Sequence, residues 1–199
     1  RSLDDYKNKI IREGHLDNLK RLTEKGFCPT CQVGNKKSPI MTVLHWSIND
    51  NIYYESFKYL ADKIDNLNII LSEGPLICSD KLGDLIVSDA HIRAEKRKIP
   101  PYASILSVAA YSGKIKAVEY FLRKGIDVNI DLTQSYTSPL ISAIEGFGIH
   151  GRSLNKQFKI LNLLLDKGAD INSVTKIKNQ GCFEDLSGTA LIAAVKTNN

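Results

Sequence analysis

An all-α solenoid of stacked helix-turn-helix units with hairpin-like loops, about five units and some of them degenerate, is the fold this sequence predicts. Three observations carry that expectation. The stretch Ser104 to Ile130 reads as two short helices and an extended tail, and close copies of it recur along the chain. One such pair has too little apolar surface to form a core alone, so it must stack on its copies.

The first helix of that stretch is signalled by Leu106, Val108, Ala109 and Ala110, closed by Ser112 and Gly113. In the second, Ile115, Val118, Phe121 and Leu122 make an apolar stripe, while Lys114, Lys116, Glu119, Arg123 and Lys124 fill the opposite face. Gly125 stands where a left-handed cap ends a helix, and Ile126 to Asn129 leave as a turn-prone tail.

Taken in order, residues 3 to 26 form the first pair. Its first helix, about Leu3 to Arg12, is unusually polar, which suits a terminal cap or an internal unit equally. Cys28-Pro29-Thr30-Cys31 follows. It offers two of the four ligands zinc needs, and neither His45 nor Cys78 stands at metal-ligand spacing. A redox motif would need a strand and helix around it, so a loop with two free thiols is expected. Thr42 to Ile48 begins the second unit, with Trp46 at an early helix position and expected to be buried. Tyr54 to Lys63 supplies its second helix, whose aromatic residues are assigned to core packing.

Residues 69 to 103 match no unit well. They read as a decayed unit or an insertion, with a helical pattern over Leu82 to Lys98 ended by Pro100 and Pro101. The basic end of that pattern, Arg93, Lys96, Arg97 and Lys98, is a solvated face or a dock for an acidic partner. Cys78, Asp80, Asp84, Asp89 and His91 include a nucleophile and bases, but no spacing fixes them into a working set. Ser138 to Ile144 repeats the first helix, and Phe158 to Asn172 repeats the second helix with its tail. Between them Gly146 to Lys156 reads as a lengthened loop; it follows a helix and no Lys-Ser/Thr succeeds its glycines, unlike a phosphate cradle. Gly188 to Ala194 starts a last unit. The units run at about 3–37, 38–68, 69–103, 104–133, 134–187 and 188–199.

These units resemble the ankyrin repeat, whose pattern is T-P-L-H-x-A-A-x-x-G-H, a leucine-rich second helix, and G-A-D-V-N. The starts at Ser104 and Ser138 lie 34 residues apart, near the family's period of about 33. The resemblance places His45 at the pattern's histidine, tying neighbouring loops together. It also implies a concave face that binds partner proteins through the residues after A-A and the loop before T-P-L-H. Carried over, these are Arg12, Glu13, Asn49, Asp50, Tyr111, Ser112, Glu145, Lys196 and Thr197 on helices. On loops they are Pro101, Tyr102, Gln134, Ser135, Tyr136 and Asp185 to Ser187. Tyr102, Tyr111 and Tyr136 are expected close together, as interface anchors or packed over neighbouring loops.

The implied function is a protein-protein interaction module with no catalytic residue, cofactor or metal of its own. The alternative is a targeting or regulatory portion of a larger enzyme. The net charge of +5 is spread over many helices, against a nucleic-acid partner. No apolar run approaches the ~20 residues of a membrane span, and no small-molecule site is signalled. Four unevenly spaced cysteines favour a reducing, cytoplasmic setting. The richness in Ile, Lys and Asn, with large insertions, is similar in style to effectors of intracellular bacteria, which implies host cytoplasm.

Overall fold

The computed structural model describes residues 9–10, 15–31, 38–46, 50–68, 70–72, 102–130, 137–146, 154–174 and 188–196. Its elements are α1 (Leu16–Glu24), α2 (Pro39–Trp46), α3 (Asp50–Ala61), β1 (Ile70–Ser72), β2 (Tyr102–Ser104), α4 (Ile105–Tyr111), α5 (Ile115–Arg123), α6 (Pro139–Glu145), α7 (Leu154–Asp166) and α8 (Ala190–Lys196). The fold is mostly helical.

Local signals set the helix ends. Ser104 Oγ accepts the Ser107 N–H at 3.0 Å and Ser138 Oγ accepts the Ile141 N–H at 3.2 Å, each satisfying a donor that the first turn leaves open. Pro139 fits the first turn of α6 because no hydrogen bond is needed from its nitrogen. At the other ends Gly125 and Gly168 take φ of +75° and +83°, the left-handed backbone that a Cβ disfavours, and turn the chain out of α5 and α7.

The helices pack in two rows. Helices α2, α4, α6 and α8 touch in succession, and so do α1, α3, α5 and α7; within hairpins α2 meets α3, α4 meets α5, and α6 meets α7. The first row approaches closely through small residues, with Ala109, Ala110 and Ala143 all buried. Buried serines there are bonded across the row: Ser107 Oγ donates to the Thr137 carbonyl at 3.1 Å, just ahead of α6. The second row is filled by larger side chains. Phe57 of α3 stands edge-on to Phe121 and Tyr120 of α5, with ring centroids 5.1 and 5.4 Å away.

A polar ladder joins the tails. Asn68, Asn129 and Asn172 each donate their own N–H to the side-chain oxygen two residues back, at 2.8–2.9 Å. Between tails, Asn68 Oδ1 accepts the Asp127 N–H, Asn129 Oδ1 accepts the Asp170 N–H, and Asn129 Nδ2 donates to the Gly168 carbonyl, all at 2.8 Å.

The helical class holds with one addition: β1 and β2 pair antiparallel, with Ile70 opposite Ser104 and Ser72 opposite Tyr102. Three expectations need correction. Helix α2 begins at Pro39 rather than Thr42, so Trp46 is its last residue and His45 lies in its final turn. Ser38-Pro39 is the same helix-opening pair as Ser138-Pro139. Helix α7 begins at Leu154, taking residues 154–156 out of the presumed loop, because Gln157 is buried and belongs to the packed face. Finally, Cys28 and Cys31 are not free thiols but a disulfide, with Cα atoms 5.3 Å apart in a turn where Cys31 N–H donates to Cys28 Sγ at 3.1 Å. The bond takes both sulfurs out of the zinc reading. The expectations for residues 73–101 and 175–187 lie outside the described residues.

Two stability effects follow. Phe121→Ala is expected to cost about 3–5 kcal/mol in urea unfolding, since the ring is fully buried; a cycle with Phe57→Ala should be non-additive, because the rings touch. Asn129→Ala, which removes two inter-tail bonds, is expected to cost about 1–2 kcal/mol.

Candidate functional site

The face assigned to partner contacts is built at the C-terminal ends of the first-row helices. Tyr111 is the last residue of α4 and Ser112 its cap, whose N–H donates to the Val108 carbonyl at 2.9 Å; Glu145 is the last residue of α6. All three residues are partly exposed, although the Ser112 hydroxyl itself is turned inward. The two helix ends abut: a Cβ added at Gly146 would lie 2.6 Å from the Tyr111 carbonyl oxygen and 2.3 Å from Gln157 Nε2. A side chain at Gly146 would therefore force the helices apart.

Gln157 fills the junction from α7 and donates from Nε2 to the Tyr111 carbonyl at 3.4 Å. Ser112 Oγ and Gln157 Oε1 are buried there, and neither has a hydrogen-bond partner among the described residues. The junction is thus only partly satisfied by the chain's own groups.

The other assigned positions fare differently. Arg12, Glu13, Asn49, Gln134, Ser135 and Tyr136 lie outside the described residues, as do Pro101, Thr197 and residues 185–187. Asp50 opens α3 instead of closing a first helix, because α2 starts and ends earlier than the motif suggested. Tyr102 is in β2, paired with Ser72, and not at a loop tip. Lys196 ends α8. The structure thus joins Tyr111, Ser112 and Glu145 and moves Asp50 and Tyr102 to other settings.

A second cluster joins the hairpins on the α3 and α5 side. Tyr120 donates its hydroxyl to Asp62 Oδ1, and Lys124 Nζ lies 3.3 Å from the same oxygen and 5.5 Å from the centre of the Tyr120 ring. Beside it opens a cleft of about 240 Å³ lined by Asp62, Asp65, Asn66, Asn68, Tyr120 and Lys124, among others. The Tyr120 hydrogen bond, followed by Lys124, holds the Asp62 carboxyl below its ordinary value of 3.8, while burial opposes them. Burial, then Asp62, pushes the Tyr120 phenol above its ordinary range. Asp62 is thereby held as a carboxylate and Tyr120 as a neutral phenol around pH 7, a brace and not a poised acid or base. Among the described residues no group of three His, Cys, Asp or Glu could hold a metal ion, and no helix is long and apolar enough to cross a membrane.

No protein-family model matches the chain, and no curated protein matches it in sequence. The residues that sequence reasoning passed over are Gln157 and the Asp62 brace. Gln157 falls between the loop expected over Gly146 to Lys156 and the helix expected from Phe158; its three-residue spacing from Ile160 was the available signal.

The depressed Asp62 carboxyl stabilises the fold above its unfolded value, and that contribution fades as pH falls through 3.8 and below. Asp62 is 43% exposed, so the brace contributes no more than about 1 kcal/mol after screening. The stability gap between wild type and Asp62→Asn is expected to be present at pH 6 and to shrink progressively as the pH is lowered below 3.8, as read by urea unfolding across that range.

Proposed function

We propose that this chain is a protein-recognition module of the ankyrin-repeat type, a solenoid that grips a partner protein across its first-row helices and their loops. The observation that carries the reading is the meeting of Tyr111, Ser112 and Glu145 on helices whose ends abut. Three positions that the resemblance assigned separately to partner contact thereby become one surface.

The packing supports the same reading. Two rows of helices in register are what a stack of hairpins produces, and one edge of such a stack is free to meet another chain. Ser107 stands where the repeat pattern has its histidine, and its hydroxyl reaches the loop before the next hairpin, as that histidine would. The tail ladder repeats with the same bonds in successive units. Tyr111 offers contact area with a polar tip at low entropic cost, and Glu145 beside it adds a charge that favours a basic or amide-rich contact on the partner.

The test is affinity capture followed by titration of the captured protein. Tyr111→Ala is expected to weaken binding by about 2 kcal/mol, or ~30-fold, and Glu145→Lys to lower it further, with unchanged melting curves. Equal affinity for wild type and both variants would remove this face from the proposal.

A further inference from the structure

We propose that the Cys28–Cys31 disulfide is a thiol-exchange site and a redox-sensitive latch: an external thiol of the glutathione class attacks Cys31, Cys28 leaves as a thiolate, and α2 loses the carbonyl that caps its start. The inference goes beyond the recognition reading and does not rest on the face at Tyr111.

The bond closes over only two intervening residues, Pro29 and Thr30. A loop so short removes little freedom from the unfolded chain, whereas disulfides kept for stability gain most by closing long loops. The surroundings suit exchange better than stapling. Cys31 is exposed and Cys28 half-buried, which makes Cys31 the open side of the bond for an incoming thiolate. The Cys28 sulfur is met by donors instead: the Cys31 N–H at 3.1 Å and the Thr30 hydroxyl at 3.4 Å, which is the donor because a disulfide sulfur has no proton to give. Negative charge developing on Cys28 as the bond breaks falls between these two groups, and a stabilised thiolate leaves faster.

The exchange balances with the small thiol as sole co-reactant. The first thiolate forms a mixed disulfide with Cys31 while the Cys28–Cys31 bond breaks and its electron pair goes to Cys28. A second thiolate attacks the mixed disulfide, releases Cys31 as a thiolate and departs as the oxidised dimer of the small thiol. The two protein thiolates take up the two protons the small thiols lost, so two electrons pass to the protein.

The same ring holds a helix end. The Pro29 carbonyl, inside it, accepts the Ile40 N–H at 3.0 Å, and Ile40 is the second residue of α2, whose N–H no carbonyl of its own helix can reach. At α4 and α6 a first-turn donor is met by a serine hydroxyl; at α2 one is met by a carbonyl fixed in the disulfide ring. Ile40 is fully buried, so the latch acts on a core position. Opening the ring frees the Pro29 carbonyl and loosens the start of α2.

The test uses the full 199-residue chain with the bond closed and reduced glutathione at millimolar concentration as the probe, followed by acid quench, alkylation and peptide sequencing by mass spectrometry, which separates Cys28 and Cys31 from Cys78 and Cys182. Glutathione is expected on Cys31 with the alkyl label on Cys28, and later the label on both. In the reduced chain the Ile40 amide is expected to exchange with deuterium roughly five- to tenfold faster, while the Ser107 and Ile141 amides keep their rates. A bond that stays closed, glutathione on Cys28, or an Ile40 amide with one rate in both forms overturns the proposal. Loss of protection at Ser107 and Ile141 as well also overturns it, since the bond would then be a general staple.

Discussion

The described hairpins bury apolar side chains against one another, and the rest of the fold depends on these contacts between hairpins. Phe57 is the clearest case: it leaves α3 and is closed off by Tyr120 and Phe121 of α5, rings belonging to a segment more than sixty positions away. Each ring is buried only because the other hairpin is present. Burial in one hairpin is therefore conditional on its neighbour, as the proposed stacked array requires. The small residues of the first row play the complementary part: Ala109, Ala110 and Ala143 let the row close up while the second row keeps its bulk.

Apolar packing alone tolerates sliding, and the tails remove that freedom. Every bond between tails uses a backbone group of one tail and a side chain of the preceding one, so a shift by one residue would leave both unpaired. The ladder is exposed and each bond is individually modest. Its effect is on register, and register decides whether Tyr111 and Glu145 arrive side by side. The Asp62 brace reinforces the same joint from the other side, tying the end of α3 to α5 through a phenol and an ammonium held on one carboxylate oxygen.

The helices and their ends were legible where a residue has one local job. Gly125 and Gly168 mark helix ends because few other residues take that backbone, and the stripe of Ile115, Val118 and Phe121 marks α5 because its period is helical. Reading failed where a familiar motif outweighed a cap. The run from Thr42 to His45 drew attention from Ser38-Pro39, the true opening of α2, and that slip misplaced Asp50. Contacts between distant polar groups left no local trace. Gln157 could be recognised as a core residue only by its helical phase, and the pairing of two three-residue strands has no periodicity to read. Of the proposed binding face, the positions on α4 and α6 were legible because both helices start at a capping serine.

The strand pair also separates two quantities that are normally linked. Because Ser72 and Tyr102 are opposite one another, the chain departs from the α3 hairpin and rejoins it at the α4 hairpin through neighbouring points. How many residues it spends between them then matters little to the stack, since closing a longer excursion costs only about 0.6 kcal/mol per doubling of length. Such a joint is a place where sequence can be added, removed or rewritten over evolutionary time while the helices on both sides keep their mutual alignment.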